Sequence, residues 1–234
     1  MAEGADRIAL VAGGSGLVGT RLLPLLLESV EYARVHALSR RPLSWTHARL
    51  ANRVLRFDAP LDAQLKGLVC QDAFCCLGTT LRAAGSEAAF RAIDHDLVLS
   101  FARAALAAGA TRLVIVSAVG ADPASRNFYL RVKGETERDL EGLRVPALDI
   151  LQPSVLLGLR REPRAAELAA QGALWLVGPL LFGRWARYRA IEASAVAAAM
   201  RGAARSGRRG VNRYTYQDLQ RLATVSRSVL VAGI

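Results

Sequence analysis

The sequence predicts a doubly wound parallel α/β sheet with a small C-terminal cap on the substrate side, and three observations predict it. Short apolar runs recur along the first two thirds of the chain, with helical patterns between them. The runs are brief and bounded by turn residues, as buried parallel strands are. The first run, Ile8-Ala-Leu-Val11, leads straight into a turn with glycines at 13, 14, 16 and 19, from which a helix opens.

Each element follows in order. After the strand at 8–11, Leu17 to Leu27 reads as a helix. Pro24 inside it costs about 3 kcal/mol in a helix interior, so a bend is expected near Leu23. Arg34 to Leu38 is strand two, Val54 to Phe57 strand three and Ala73 to Leu77 strand four. A long helix is expected from Ser86 to Ala108, with Phe90, Ile93, Leu97 and Phe101 at helical spacing and Gly109 as its stop. Leu113 to Val116 is strand five, Phe128 to Leu143 a helix, and Leu148 to Leu151 strand six, closed by Pro153.

Beyond Pro153 the pattern loosens. Residues 154–190 are loop-rich, Ile191 to Arg205 is an alanine-rich helix, and Ser206-Gly-Arg-Arg-Gly210 is a turn. Val211 to Tyr216 is a last strand before a short helix. The expected organisation is one domain over 1–234, with 154–190 and 206–234 as cap elaborations.

The net charge of +11 invites nucleic acid, but the arginines are scattered and no helix-turn-helix, zinc-finger or ribonucleoprotein signature accompanies them. Nucleic acid is therefore not an expected partner. No apolar leader is visible, and the three cysteines (Cys70, Cys75 and Cys76) lack metal-ligand spacing with the histidines. No metal is expected, and reduced, buried cysteines suggest the cytoplasm. His95, beside Asp94 on the long helix, is expected at the surface or near a cofactor. The uncharged run 168–182 is too short for a good membrane span. It is expected as a flap or core helix, or alternatively as a segment that docks on a membrane or a partner protein.

The glycine turn carries the first chemistry. Gly13, Gly14, Ser15, Gly16, Leu17, Val18 and Gly19 place backbone N–H groups and a helix N-terminus where a pyrophosphate can dock. Gly13 permits the tight turn, Gly16 the approach of phosphate, and Gly19 close packing of helix on strand. Strand two ends in Ser39-Arg40-Arg41, about twenty residues past Gly19, where an acid would bind the ribose of NAD. A hydroxyl and two guanidiniums there suit a 2′-phosphate, hence NADP(H). Asp58, after strand three, is placed for the adenine amino group.

A second constellation is Tyr129-Leu-Arg-Val-Lys133, preceded by Ser117 at the end of strand five. Positions i and i+4 share a helix face, so phenol and ammonium point the same way. A cation there favours phenolate and brings the tyrosine towards working pH. Of 31 Lys+Arg, only Lys66 and Lys133 are lysine, so a compact ammonium at this position stands out. Ser117 would bond the substrate oxygen, Tyr129 pass the proton, and Lys133 hold the ribose. The substrate expected is a carbonyl or quinone-like small molecule. The alternative is a module that holds NADP(H) for sensing or scaffolding, without turnover.

These motifs, with Phe74 to Thr80, Asp94-His-Asp96, Val116 to Asp122 and Gln152 to Gly158, resemble the atypical short-chain dehydrogenase/reductases. The likeness is greatest to the subgroup of the HIV Tat-interacting tumour-suppressor oxidoreductase, over about Ile8 to Leu157 and weakly to Leu222. The resemblance implies a Rossmann fold with NADP(H) along the strand ends, Gly78 and Thr79 beside it, and Pro153, Ser154 and Val155 near the nicotinamide. It also implies that Asp94 replaces the asparagine that supports a proton-relay water in most of the superfamily. Ala118 stands where relatives often have a second serine.

Overall fold

The computed structural model describes residues 6–157 and 183–231. The uncharged run 168–182, and with it most of the expected cap at 154–190, lies outside the described residues.

Seven parallel strands form the central sheet. In chain order they are β1 (Arg7–Ala12), β2 (Tyr32–Ser39), β3 (Leu50–Val54), β4 (Asp72–Cys75), β5 (Arg112–Val116), β6 (Ala147–Leu151) and β9 (Gly210–Tyr214). Their spatial order is β3-β2-β1-β4-β5-β6-β9. A two-residue parallel pair, β7 (Leu156–Leu157) with β8 (Ile191–Glu192), lies beyond the end of β6. The order reverses direction between β1 and β4, and open α/β sheets bind ligands outside the strand ends at such a switch point.

Alternate side chains of each strand enter opposite layers, and both layers are apolar. Ala9, Val11, Val35, Phe74, Val114 and Leu151 face one core. Leu10, Ala12, Leu38, Ala73, Ile115 and Ile150 face the other. The first layer is closed by α1 (Gly19–Leu27), α7 (Ala193–Arg205) and α8 (Tyr216–Val231). The second is closed chiefly by α2 (Leu61–Gln64), α5 (Leu97–Ala107) and α6 (Phe128–Gly142). Burial on both faces is why the strands read as apolar runs rather than as alternating ones.

Two elements depart most from the sequence expectation. Strand three lies at Leu50–Val54, not at Val54–Phe57, and pairs from Val35↔Leu50 to Ser39↔Val54. It is the edge strand and only half-buried, so it lacks an apolar run. Asn52 fixes it instead, donating to the Ala37 carbonyl at 3.0 Å and to Ser39 Oγ at 2.8 Å. The long helix is three pieces: α3 (Leu81–Ala84) stands ahead of it, then α4 (Glu87–Arg91) runs through a π-turn (Ala92–Asp96) into α5. Ser86 caps α4 by accepting from the Ala89 N–H. Pro24 sits inside the nine-residue α1, which ends three residues later at Leu27.

Candidate functional site

The turn after β1 meets the loop after β4 at the switch point, and the glycines are there for want of space. Gly13 has φ +80°, and a Cβ on it would lie 2.6 Å from the carbonyl carbon and oxygen of Cys76. A Cβ on Gly19 would lie 2.2 Å from the Gly13 carbonyl oxygen, so only glycine lets α1 seat against the turn. Gly16 differs. Its Cβ would meet only the Gly13 oxygen at 3.2 Å and the Cys76 oxygen at 3.9 Å, so its outer side is open to a ligand. The Gly16 N–H donates to the Gly13 carbonyl at 2.9 Å and sets the turn. Gly14 packs towards Leu23, Ser15 is exposed, Leu17 is half-buried, and buried Val18 precedes α1. Helix α1 has no side-chain cap and no acid in its first turn, which leaves its positive end for an anion.

Strand β2 delivers the next group. Ser39 donates to the Arg41 carbonyl at 2.7 Å, curling the chain, and Arg40 and Arg41 are exposed. Neither arginine makes an ion pair among the described residues. Asp58 is exposed and paired with Arg56 at 3.0 Å, which holds its carboxyl below the usual range.

The second half of the site is built on the π-turn. The extra residue in that turn buries Asp94, and its two carboxylate oxygens take different partners. Oδ1 pairs with Lys133 Nζ at 2.7 Å. Oδ2 accepts from the Thr79 backbone N–H at 2.8 Å. Thr136 donates to the Asp94 carbonyl at 3.0 Å and completes the link to α6. One acid thus ties the loop carrying Gly78 and Thr79 to Lys133, and a Cβ on Gly78 would approach Asp94 Oδ1 to 3.3 Å. Burial works against the Lys133 charge, but Asp94 and then Tyr129 outweigh it and push its pKa above the ordinary value. Lys133 is a cation throughout the neutral range.

Tyr129 lies one turn ahead on α6. Its ring rests on Phe90 with centroids 5.5 Å apart, and its hydroxyl takes no hydrogen-bond partner among the described residues. Asn127 caps the helix by accepting from the Leu130 N–H at 3.2 Å. Gly134 lets the helix seat, since a Cβ there would fall 2.2 Å from the Asp122 carbonyl carbon.

Ser117 is buried just past β5, and its hydroxyl donates to Glu137 Oε1. Glu137 is itself buried, accepts from Gln152 Nε2 at 2.9 and 3.0 Å, and pairs with Arg213 Nε at 3.2 Å. Sequence reasoning missed Glu137, Gln152 and Arg213. Glu137 continues the 129–133 spacing by another i+4 step, which is the signal that could have found it. The Pro153 carbonyl accepts from the Val119 N–H at 2.9 Å, Ser154 donates to the Tyr188 carbonyl at 3.0 Å, and the Val155 carbonyl accepts from the Ile191 N–H at 2.9 Å. The segment 153–155 is thereby anchored at the strand ends.

His95 is not a surface or ligand-facing group. It is buried between Asp96 at 2.7 Å and Asp139 at 3.0 Å, where it ties the π-turn to α6. Cys75 is buried, and burial pushes its thiol up to about 12. Among the described residues no cluster of His, Cys, Asp and Glu could hold a metal ion.

Comparison with known proteins fits this geometry. No family model matches the chain. The FMP52 protein of Coccidioides immitis is 33% identical over 238 residues, covering 93% of this chain and 96% of the relative. The FMP52 protein of Saccharomyces cerevisiae is 37% identical over 157 residues, covering 66% of this chain and 68% of the relative. HTATIP2 of Rattus norvegicus is 35% identical over 170 residues, covering 71% and 69%.

Among solved structures, MoeE5 in complex with UDP-glucose and NAD superposes with a TM-score of 0.67 at 16% identity, covering 94% of this chain and 81% of that one. The Helicobacter pylori ADP-L-glycero-D-manno-heptose-6-epimerase gives 0.67 at 16% identity, covering 97% and 83%. These two share the fold.

The relatives correct one expectation. The FMP52 proteins are named mitochondrial, which overturns the cytoplasmic assignment. That assignment rested on reduced cysteines, and these separate reducing from oxidising compartments without distinguishing the cytosol from an organelle. Among the described residues no helix is long and apolar enough to cross a membrane. With a relative matched over nearly its whole length and the glycine turn, Asp94 and the Tyr129–Lys133 pair in place, the chain belongs to the FMP52 and HTATIP2 family of atypical short-chain dehydrogenase/reductases.

Proposed function

We propose that the chain is an NADP(H)-dependent oxidoreductase that moves a hydride to or from a carbonyl or quinone-like substrate. The observation that carries this reading is the placement of Lys133. It is a buried ammonium one turn from Tyr129, paired with the same acid that holds the Thr79 backbone, at the strand ends that carry the glycine turn.

The residues present fit a nicotinamide dinucleotide. Gly13 and Gly19 leave no room for a side chain, whereas Gly16 is open on its outer side, and α1 is uncapped. Exposed, unpaired Arg40 and Arg41 support a 2′-phosphate rather than a bare ribose. A structural neighbour that holds NAD supports the cofactor class. When bound, such a cofactor supplies or accepts the hydride.

The chain's own groups handle the proton. Tyr129 offers its phenol proton at the substrate oxygen, and the Lys133 cation favours the phenolate that remains. Asp94, 2.7 Å from the ammonium, reduces that help: the pair acts on the phenol as a dipole, whose field is weaker than a lone cation's. Lys133 keeps two further N–H donors, which suit the ribose hydroxyls.

The test is NADPH oxidation over a panel of carbonyls and quinones. Wild type should turn over at least one of them. Tyr129→Phe should lower kcat by about 10²–10⁴-fold with NADPH affinity unchanged. Full activity in Tyr129→Phe contradicts the assignment.

One observation favours the second reading, a module that binds NADP(H) without turnover. The Ser117 hydroxyl donates its proton to Glu137, so that donor is already committed within the protein. Tight NADPH binding with no turnover across the whole panel would select that reading.

A further inference from the structure

The Ser206–Gly210 turn is left unexplained by the site above, and it borders a second concavity at the opposite edge of the sheet. Here the strands begin. Arg7 opens β1, Arg112 opens β5, and the turn leads into β9. A cleft of about 300 Å³ lies between them, lined by Arg7, Thr111, Arg112, Gly207 and Arg209 with Pro146 and Ala147. Three arginines line it, and no Asp or Glu is among the lining residues.

Two of these arginines also have structural work. Arg7 pairs with buried Asp72 at 2.5 Å, and Arg112 pairs with buried Asp149. Arg7 keeps donors over, since a guanidinium has five N–H groups and it engages its carboxylate through one nitrogen, whereas Arg112 also donates to the Ala203 and Arg208 carbonyls. Arg209 has no such task. It is exposed and makes no ion pair among the described residues. The fold nevertheless holds it in place. Gly207 at φ +66° and Gly210 at φ +72° bracket the Arg208-Arg209 dipeptide, and Arg112 Nη2 donates to the Arg208 carbonyl at 2.7 Å. A buried arginine therefore fixes the turn that presents an unpaired one. Strand stapling accounts for Arg7 and Arg112; it does not account for Arg209 or for a lining without acids.

We propose that this cleft is a binding site for a phosphate-bearing anion, separate from the dinucleotide site. Planar guanidiniums converging without a carboxylate are the donor set that recognises phosphate oxygens. The six residues of β1 put the cleft about 20 Å from the glycine turn. One mononucleotide could not span both.

Inorganic pyrophosphate is the probe, added to the full chain with amide hydrogen exchange as readout. Protection should appear at 206–210 and fade with added salt. Arg209→Glu, an exposed position that holds nothing else, should keep the wild-type thermal unfolding midpoint. It should also weaken pyrophosphate binding on the order of tenfold or more, as loss of a charge-assisted contact does. Equal protection at 206–210 in Arg209→Glu, or protection confined to 13–19 in wild type, overturns the proposal. Sedimentation with vesicles containing phosphatidic acid identifies the source. Capture abolished by Arg209→Glu assigns the phosphate to a lipid headgroup; pyrophosphate binding without capture assigns a soluble phosphate.

Discussion

The two ends of the sheet both bury charge, yet they treat it differently. Towards the N-terminal edge, Asp72 accepts from the Tyr32 hydroxyl at 2.7 Å and pairs with Arg7, while mid-strand Asp149 accepts from the Tyr214 hydroxyl at 3.0 Å and pairs with Arg112, which opens β5. Each buried carboxylate has a neutral donor and a cation, and each triad ties three strands together. Burial raises both carboxyl pKa values even so, with Arg7 and Arg112 opposing it. At the C-terminal edge Asp94 is equally buried and paired with Lys133, but the tyrosine there, Tyr129, does not donate to the carboxylate, and its hydroxyl is unsatisfied within the described residues. A saturated carboxylate holds strands together. Unsaturated charge at a strand end is available to a ligand.

The contrast can be broken by substitution. Asp149→Ala leaves Arg112 buried without its acid, and should cost about 3–5 kcal/mol in urea unfolding. NADPH affinity, measured where the variant is folded, should stay at the wild-type value. A variant that loses affinity while its stability is intact would show that the N-terminal staples reach the cofactor site.

Lys133→Met should cost a similar amount by stranding Asp94, and the Asp94→Asn/Lys133→Met double variant should recover much of it. NADPH affinity should remain low in the double variant. Recovery of affinity along with stability would reduce Lys133 to a staple like Arg112.

A finer test uses pH. The Lys133 pKa is raised in the fold above its ordinary 10.5. The stabilisation it brings is therefore full below 10.5 and fades as pH climbs through the higher folded value. Relative to the double variant, wild type should lose stability only in that alkaline window. Smallest of all, Cys75, with its thiol pushed up to about 12, should resist alkylation at neutral pH while the fold is intact. Rapid labelling would contradict its burial.

The sequence revealed much of this because local rules govern it. Glycines at 13 and 19 are dictated by backbone contacts within one strand-turn-helix unit and the strand beside it, and their spacing shows in the chain. Tyr129 and Lys133 are legible for the same reason, one turn apart on one helix. What escaped depends on distant partners. Strand β3 looks polar because it is an edge, held by Asn52 rather than by an apolar run. The Ser117–Glu137 bond joins a strand end to the middle of a helix. The burial of Asp94 and His95 depends on a π-turn, which carries no composition of its own. The tyrosine-acid-arginine triads draw each member from a different strand or its border, so no spacing betrays them.

Calorimetric titration of NADPH and NADH into wild type and the Arg40→Ala/Arg41→Ala double variant tests the central claim most directly. Wild type should bind NADPH about tenfold or more tighter than NADH, and the double variant should bind both alike. Equal affinities in wild type would contradict selection of the 2′-phosphate, and no binding of either dinucleotide would contradict the cofactor site itself.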